Sequence, residues 1–489
     1  MLCLTITEKT IQDAVDCALR NREYVDLLEL RIDYLNDDQV LSAKDFQAKV
    51  GIPVIATLRR KKDGGMFTGT EESRIAILKE LVEQGGFDYV DIEDDVSDNR
   101  LEKVRGQAVV IRSFHDFHGV PEDLIQRLAR MRKDPDDIVK AAVFPKNTEG
   151  LRRFMSAADY TECRKILVAM GVEGMFSRIL SGKLGSYLSF TSESSAAPGH
   201  LSPQQMQELY RFSSISRATR VYGIAGNPVA HSLSPLIHNT GFAESGIDAV
   251  YVPFQTSDLP GLMEHADLLG IDGLSVTVPL KEQALEFAGI VSESASVIGA
   301  ANTLVRQGDG FIAMNTDAQG FIRPLEELPR IKAASPEKAA VIGAGGAARA
   351  VVHALKKSGR DVCIFNRTLE KAEKLASEFG CKSAPLSEDS LSMFTEYRSI
   401  VVQTTSCGME PDTEGDPAPF FRFSGEEIVC DIIYKPEKTR FLSRAEKAGC
   451  TVLNGLPMLI YQGFAQFSAF TGRDYPLSYN KLMERIGTP

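Results

Sequence analysis

Lys140 stands inside an apolar run, Ile138-Val139-Lys140-Ala141-Ala142-Val143, where a charged amine is out of place. Burying an ammonium costs solvation free energy unless the group is neutral or covalently used. Burial and neighbouring arginines favour the neutral form of such an amine, which can attack a ketone and form a Schiff base. A lysine snorkelling from an edge strand is the alternative, and the run alone leaves both open. Other polar residues gather at the ends of similar runs. Glu29 and Arg31 lie two apart and so share one face of a strand. Arg59, Glu93 and His115 close three further runs. His115 is either a proton carrier or a hydrogen-bonded core histidine. With His118 it offers two ligands and no third nearby, so no metal is expected.

A second chemical signal is Lys338-Ala339-Ala340-Val341-Ile342-Gly343-Ala344-Gly345-Gly346-Ala347-Ala348-Arg349-Ala350. A short apolar run, a glycine turn, an alanine-rich helix ending near Gly359 and a further run, Asp361 to Phe365, spell a βαβ unit. The helix start in such a unit aims free N–H groups at a phosphate. Ala348 stands where a third glycine is usual. About twenty residues on, Asn366-Arg367-Thr368 carries no acid to bind a ribose 2′-hydroxyl. It carries an arginine that suits a 2′-phosphate, so NADP is the expected cofactor.

These groups need a frame. Apolar runs at Leu2–Ile6, 25–30, 54–58, 89–92, 108–111, 138–144, 166–170 and 187–190 alternate with helical patterns such as 72–84 and 121–132. Eight strands in about 190 residues predict a (β/α)₈ barrel, with a doubly wound sheet as the alternative. Residues 203–220 read as one amphipathic helix and a short polar link. A new strand starts at Val221. Turn-rich segments then follow: Gly226-Asn227-Pro228-Val229-Ala230-His231-Ser232-Leu233-Ser234-Pro235, Ser275-Val276-Thr277-Val278-Pro279-Leu280-Lys281, Gly299-Ala300-Ala301-Asn302-Thr303 and Asn315-Thr316-Asp317. Small polar residues at strand ends suit a polyhydroxylated ligand, although each segment alone is an ordinary turn.

Glu29-Leu30-Arg31-Ile32-Asp33, Thr57-Leu58-Arg59 with Asp63-Gly64-Gly65, Ser113-Phe114-His115-Asp116-Phe117, Asp137-Ile138-Val139-Lys140, Ser177-Arg178 and Ala197-Pro198-Gly199 come in the order found in type I 3-dehydroquinate dehydratases. The first 213 residues resemble that family. The resemblance implies that Lys140 forms a Schiff base with 3-dehydroquinate and that His115 moves the proton. It further implies that Arg178 binds the substrate carboxylate, with Arg59, Arg31, Glu29 and His200 around the substrate. Asp63, Ala196 and His200 depart from the family's usual Glu, Ser and Gln.

From about Tyr222 onward the chain resembles shikimate dehydrogenases. The turn segments carry this likeness with Asn366-Arg367-Thr368, Thr404-Thr405-Ser406, Asp431-Ile432-Ile433-Tyr434, Gly455-Leu456-Pro457-Met458-Leu459 and Gln462. It implies that Lys281 and Asp317 form a catalytic pair. Ser232, Ser234, Thr277, Asn302, Tyr434 and Gln462 would then hold 3-dehydroshikimate. Gly343, Ala344, Gly345, Gly346, Ala347, Asn366, Arg367, Thr368, Thr404 and Gly455 would hold NADP. Ser275 and Gln403 stand where the family commonly has Asn.

The architecture expected is therefore a TIM barrel at 1–215, a substrate-binding α/β domain at 220–320 completed by 455–489, and a Rossmann NADP domain at 321–454. The expected function is dehydration of 3-dehydroquinate followed by NADPH-dependent reduction of 3-dehydroshikimate to shikimate. A second half acting on quinate, or a catalytically dead metabolite sensor, is the competing reading. A net charge of −11 over 489 residues provides no basic excess for nucleic acid. Eight scattered cysteines form no Cys-x-x-Cys pair. No signal-like segment precedes the first run and no stretch approaches membrane-spanning length, so a cytoplasmic protein is expected. Oligomeric state is not legible.

Overall fold

The computed structural model describes residues 1–106, 108–160, 162–193, 199, 201–329 and 338–487. The chain divides into two compact units, Met1–Pro235 with Gly246–Ile271, and Leu236–Ser245 with Asp272–Pro489.

The first unit opens with eight strands: β1 (Leu2–Ile6), β2 (Leu27–Arg31), β3 (Val54–Thr57), β4 (Tyr89–Glu93), β5 (Val109–Asp116), β6 (Ile138–Val143), β7 (Lys165–Ala169) and β8 (Ser189–Thr191). They run in the order β7-β6-β5-β4-β3-β2-β1-β8, each neighbouring pair parallel. A single parallel bridge, Lys165 to Ser186, brings the segment before β8 back to β7. This is the expected barrel, nearly closed. Its strands are buried on both faces, as in most parallel sheets, which is why they read as continuous apolar runs.

Alternation along the strands builds the site in layers. Cys3, Leu27, Ile55, Ile111, Ile138 and Ile166 belong to one buried apolar cluster, with Tyr89 packed against it. Two residues further along each strand stand Thr5, Glu29, Thr57, Ser113, Lys140, Val168 and Asp91. An apolar plug thus underlies a polar floor.

Residues 203–220 differ from the long helix expected. They form a π-turn at Gln205–Leu209 and a 3₁₀ turn at Phe212–Ser214, separated by Arg211 at φ 51°. A left-handed non-glycine residue breaks helical continuity. Strands β9 (Arg220–Gly226) and β10 (Ala249–Gln255) follow as a parallel pair.

In the second unit β11 (Ile271–Val276), β12 (Ala288–Val291), β13 (Thr303–Gln307) and β14 (Gly310–Met314) lie in the order β11-β13-β14-β12. A separate parallel sheet holds β15 (Lys338–Ile342), β16 (Asp361–Asn366), β17 (Lys382–Pro385), β18 (Ile400–Gln403), β19 (Ile428–Asp431) and β20 (Thr451–Leu453), ordered β17-β16-β15-β18-β19-β20. The order reverses at β15, which is the Rossmann arrangement with its ligand crevice at that strand's carboxyl end. Ala339 and Val341 face one apolar cluster while Ala340 and Ile342 face another, so both faces are covered. Among the described residues no helix is long and apolar enough to cross a membrane.

Candidate active sites

In the barrel, Lys140 is 5% exposed and donates to Asp91 Oδ2 at 3.1 Å. Glu29 Oε1 lies 3.6 Å from the same Nζ, and the Phe190 ring centroid 4.2 Å away. The lysine's nearest charged groups are therefore carboxylates, not the arginines expected from sequence. Glu29 also accepts from the Thr5 and Thr57 hydroxyls, at 2.8 and 3.0 Å. Burial works against its charge, but Lys140 and then Arg31 outweigh it, and its carboxyl is held below the usual range.

Arg59 joins this floor to His115. Its guanidinium reaches Asp91 at 2.9 Å, Ser113 at 2.8 Å, Glu93 at 3.4 Å and His115 Nδ1 at 3.3 Å. A guanidinium can only donate, so Nδ1 must be the acceptor and the neutral ring carries its proton on Nε2. Burial first, then Arg59 and Lys140, push His115 well below an ordinary histidine. The imidazole is neutral near pH 7.

Arg178 stands apart from that network. It is 5% exposed, donates through Nη1 to the Ala169 carbonyl at 3.1 Å, and has no ion-pair partner among the described residues. Its Nε has no hydrogen-bond partner, and burial pulls the guanidinium down to about 10. Arg31, by contrast, is committed to Asp33 through two bonds of 2.9 and 2.7 Å. Asp63 pairs with Arg60 at 2.6 Å. His200 lies outside the described residues.

In the second unit Lys281 Nζ donates to Asp317 Oδ2 at 2.5 Å. Asp317 begins the helix Asp317–Glu326, where the helix dipole favours a carboxylate. Its other oxygen accepts from Asn302 Nδ2 at 2.8 Å, and the same amide approaches Gln462 Oε1 at 3.4 Å. Lys281, Asp317, Asn302 and Gln462 are thus brought together from a loop, a helix start, the residue before β13 and the helix Gly455–Thr471. Thr277 and Tyr434 are half-buried, one residue beyond β11 and three beyond β19. Ser275 donates to Gln466 at 2.8 Å, and Gln466 in turn donates to the Asn302 carbonyl and the Thr303 hydroxyl, both at 3.1 Å. Ser232 and Ser234 belong to the first unit, where Ser234 N–H donates to Ser232 Oγ at 3.2 Å.

The glycine turn divides its labour. Gly343 sits at φ 113°, and a Cβ there would come 2.5 Å from Thr404 Oγ1. Thr404 itself donates to the Ile342 carbonyl, so it backs the turn. Gly345 and Gly346 would meet nothing within 4 Å, and the helix Gly346–Lys357 has no side-chain cap on its free N–H groups. Ala344 packs on the sheet's core, and Ala347 is half-buried in the first helical turn. Asn366 donates to the Thr368 carbonyl at 2.8 Å, while Arg367 is exposed and has no ion-pair partner among the described residues. Gly455 serves close backbone packing, since a Cβ would come 2.0 Å from the Ile432 carbonyl. Gln403 binds both backbone and hydroxyl of Thr405 and the Cys407 carbonyl, holding its own loop.

Family models match along the chain in this order: type I 3-dehydroquinase over residues 2–217, the shikimate dehydrogenase substrate binding domain over 224–304, shikimate/quinate 5-dehydrogenase over 327–409 and the shikimate 5′-dehydrogenase C-terminal domain over 455–479. The chloroplastic bifunctional 3-dehydroquinate dehydratase/shikimate dehydrogenase of Arabidopsis thaliana is 34% identical, over 97% of this chain and 83% of that protein. The chain belongs to the bifunctional 3-dehydroquinate dehydratase/shikimate dehydrogenase family. A shikimate dehydrogenase (NADP⁺) of Syntrophobacter fumaroxidans is 38% identical over 53% of this chain and 89% of its own. The crystal structure of the Aquifex aeolicus shikimate dehydrogenase matches with TM-score 0.51 and 34% identity, covering 56% of this chain and 99% of that one. The barrel and Rossmann expectations agree with these relationships.

Asp91, Ser113 and Phe190 surround the barrel's lysine and arginine without having been singled out in the sequence. The available signal was alternation: Asp91 lies two residues before Glu93 and therefore shares its face.

Proposed function

We propose that the chain dehydrates 3-dehydroquinate in the barrel and reduces the resulting 3-dehydroshikimate to shikimate in its second half. The observation that carries this reading is the pair of separate lysine–carboxylate centres, one on a barrel floor and one beside a Rossmann sheet. In the barrel, Lys140 attacks the ring ketone and the carbonyl oxygen leaves as water. The iminium so formed draws electrons from the neighbouring C–H bond. Neutral His115 takes that proton and returns it to the departing ring hydroxyl, which leaves as water. A further water hydrolyses the product imine to release 3-dehydroshikimate and free Lys140. Arg178, buried and with no ion-pair partner among the described residues, suits the substrate carboxylate as a bidentate partner. Arg59, Arg31 and Glu29 support the polyhydroxylated ring.

In the second half the reduction would draw its hydride from NADPH when that cofactor is bound. The open glycines, the uncapped helix start and exposed Arg367 fit its phosphates. Lys281 donates to the oxygen on which charge develops, and Asp317 holds that ammonium in place. Thr277, Asn302, Tyr434 and Gln462 bind the ring and its carboxylate. The domains are assigned as 1–215, 220–320 with 455–489, and 321–454. All eight cysteines are unpaired, which suits a reducing compartment such as the cytoplasm.

The test is direct. Supplied with 3-dehydroquinate and NADPH, the purified chain should consume NADPH and release shikimate with no second protein added. Release of 3-dehydroshikimate without NADPH oxidation would remove the second activity. Oxidation of quinate in preference to shikimate in the reverse assay would change its substrate.

A further inference from the structure

We propose that Asp91 is the counter-ion of the iminium formed on Lys140. The proposal rests on the Schiff-base reading above and adds a residue to it. Asp91 lies on β4, with its side chain fully inside the barrel. Each of its oxygens is fixed. Oδ2 is shared by Lys140 Nζ at 3.1 Å and Arg59 Nη2 at 2.9 Å, and Oδ1 accepts from Ser113 Oγ at 2.5 Å. A carboxylate tied on three sides cannot swing away as chemistry proceeds. Glu29, the other acid nearby, is farther from the amine and bound to two threonine hydroxyls.

The reaction requires such a group. Over the whole step an ammonium and a ketone give an iminium and water. One proton passes first to neutral His115 so that the amine can attack, and the two hydrogens that nitrogen loses end on the departing carbonyl oxygen. Nitrogen carries one positive charge before and after. A single fixed carboxylate can therefore pair with reactant and intermediate alike, with no reorganisation between them. The charge must also persist when the neighbouring C–H bond breaks, because only the protonated imine is an effective electron sink. Burial by itself favours the uncharged imine, and the face of the Phe190 ring, 4.2 Å from Nζ, offsets only part of that cost. Burial opposes the charge on Asp91 too, but Arg59 first, then Lys140 and His115, hold its carboxyl well below the usual range. It stays an anion and is a poor place to store a proton. Asp91 partners the charge, and His115 carries the proton.

The experiment compares pH profiles of dehydration by the full-length chain and its Asp91→Asn variant. The alkaline limb of kcat should move to lower pH by about one to three units, the usual effect of one opposite charge within 4–6 Å. A circular dichroism spectrum and a urea unfolding curve that match the parent's report that the variant's barrel is folded. A merely structural role would lower kcat equally at every pH and leave the limb in place, which overturns the proposal. If Asp91→Asn does not fold, Asp91→Gln set against Asp91→Glu decides, since the two side chains share a length and differ in charge. A limb lower in Asp91→Gln than in Asp91→Glu supports the counter-ion, and equal limbs overturn it. Borohydride reduction in the presence of 3-dehydroquinate separates the two layers of argument. An unmodified Lys140 in the parent chain means the Schiff-base reading has failed. A modified Lys140 with an unmoved limb in Asp91→Asn means only the counter-ion has failed.

Discussion

The two halves of the chain each place a lysine against an aspartate, and the surroundings give the pairs different work. Lys140 and Asp91 have side chains 6% and 1% exposed, on β6 and β4, the two strands that flank β5. Their carboxylate is shared with Arg59 and Ser113. Lys281 and Asp317 are more open, at 17% and 9%, and the second carboxylate oxygen goes to a neutral amide, Asn302. A deep lysine with anions on two sides and an aromatic ring on a third suits formation of a carbon–nitrogen bond whose charge must be kept. A shallower lysine with one partner keeps N–H bonds to offer a substrate oxygen. Residue type and pairing are the same. Depth and the third neighbour set the chemistry.

The largest test of this contrast is to remove each lysine. Lys140→Ala should cost dehydration about 10⁴-fold or more, because no other group on the floor can form the covalent bond. NADPH oxidation from added 3-dehydroshikimate should remain near the parent rate. Lys281→Ala should do the reverse, with a loss of about 10²–10⁴-fold in reduction. Coupled spectrophotometric assays on each variant read both rates. Spread of either loss to the other half, in a protein with an unchanged circular dichroism spectrum, would show that the two centres are not independent.

Arg178 offers the next largest effect, and it has two signs. A charge-assisted bond to a carboxylate is worth about 1.5–3 kcal/mol, so Arg178→Met should lower kcat/KM for dehydration about ten- to a hundredfold. The same change removes a buried guanidinium with an unsatisfied Nε. The folded barrel should gain about 1–2 kcal/mol in denaturant unfolding. Loss of both activity and stability would mean that Arg178 has an internal anion as its partner.

Acid and alkali should also separate the units. Burial raises the Asp431 carboxyl to about 7, although Ile433 N–H and the Thr439 hydroxyl bond to it. The folded chain thus keeps a proton that the unfolded chain has released. That contribution to stability is complete below about pH 4 and is lost as pH rises towards 7. Glu29 and Asp91 have the opposite sign: lowered in the fold, they stabilise above the ordinary carboxyl range and lose that as pH falls below it. His115, also lowered, disfavours the folded barrel as pH falls below about 6.5. Dehydration should therefore fail first on acidification. Asp431→Asn should stabilise the second unit by about 1–3 kcal/mol near pH 8 and have little effect near pH 4. Urea midpoints measured across that range check the slope.

The barrel's strands were legible because parallel strands buried on both faces leave continuous apolar runs, and the observed ends fall within a few residues of those runs. Residue 109 onward shows the limit. β5 continues to Asp116 through Arg112, Ser113 and His115, polar residues that disguise a strand when they face a site or are held by local partners. The π-turn near 205 was missed because its apolar spacing mimics a helix, while Arg211 breaks the backbone. At the site, Lys140 stood out as a charge in an apolar run. Asp91 did not, because an acid near a strand end looks solvated until its partners on the neighbouring strands are known. Arg178 carried no local signal either: what distinguishes it is the lack of an ion-pair partner among the described residues, a property of the fold.

The smallest effect concerns Asp63. Resemblance to the dehydratases places an acid near His115, and this chain has the shorter of the two acids. Asp63 instead accepts from Arg60 at 2.6 Å on the rim of the barrel, where Arg60 also reaches Asp95 at 2.7 Å and Glu71 at 3.7 Å. Lys62 adds a further bond to Asp95 at 2.7 Å. Deleting one member of a rim network with several alternatives removes about 0–1 kcal/mol. Asp63→Ala should therefore lower dehydration by less than about fivefold, which is what 1 kcal/mol allows. His115 takes its orientation from Arg59, deeper in the floor, so its protonation and the acid limb of the profile should not move. Asp63→Glu sharpens the result. If the longer side chain leaves Arg60 and reaches the histidine, turnover should rise or its pH optimum shift, whereas an unchanged profile keeps the longer acid on the rim as well. A loss of tenfold or more in Asp63→Ala would place Asp63 beside His115 during catalysis, and the barrel would then depend on rim closure in a way that the described floor does not require.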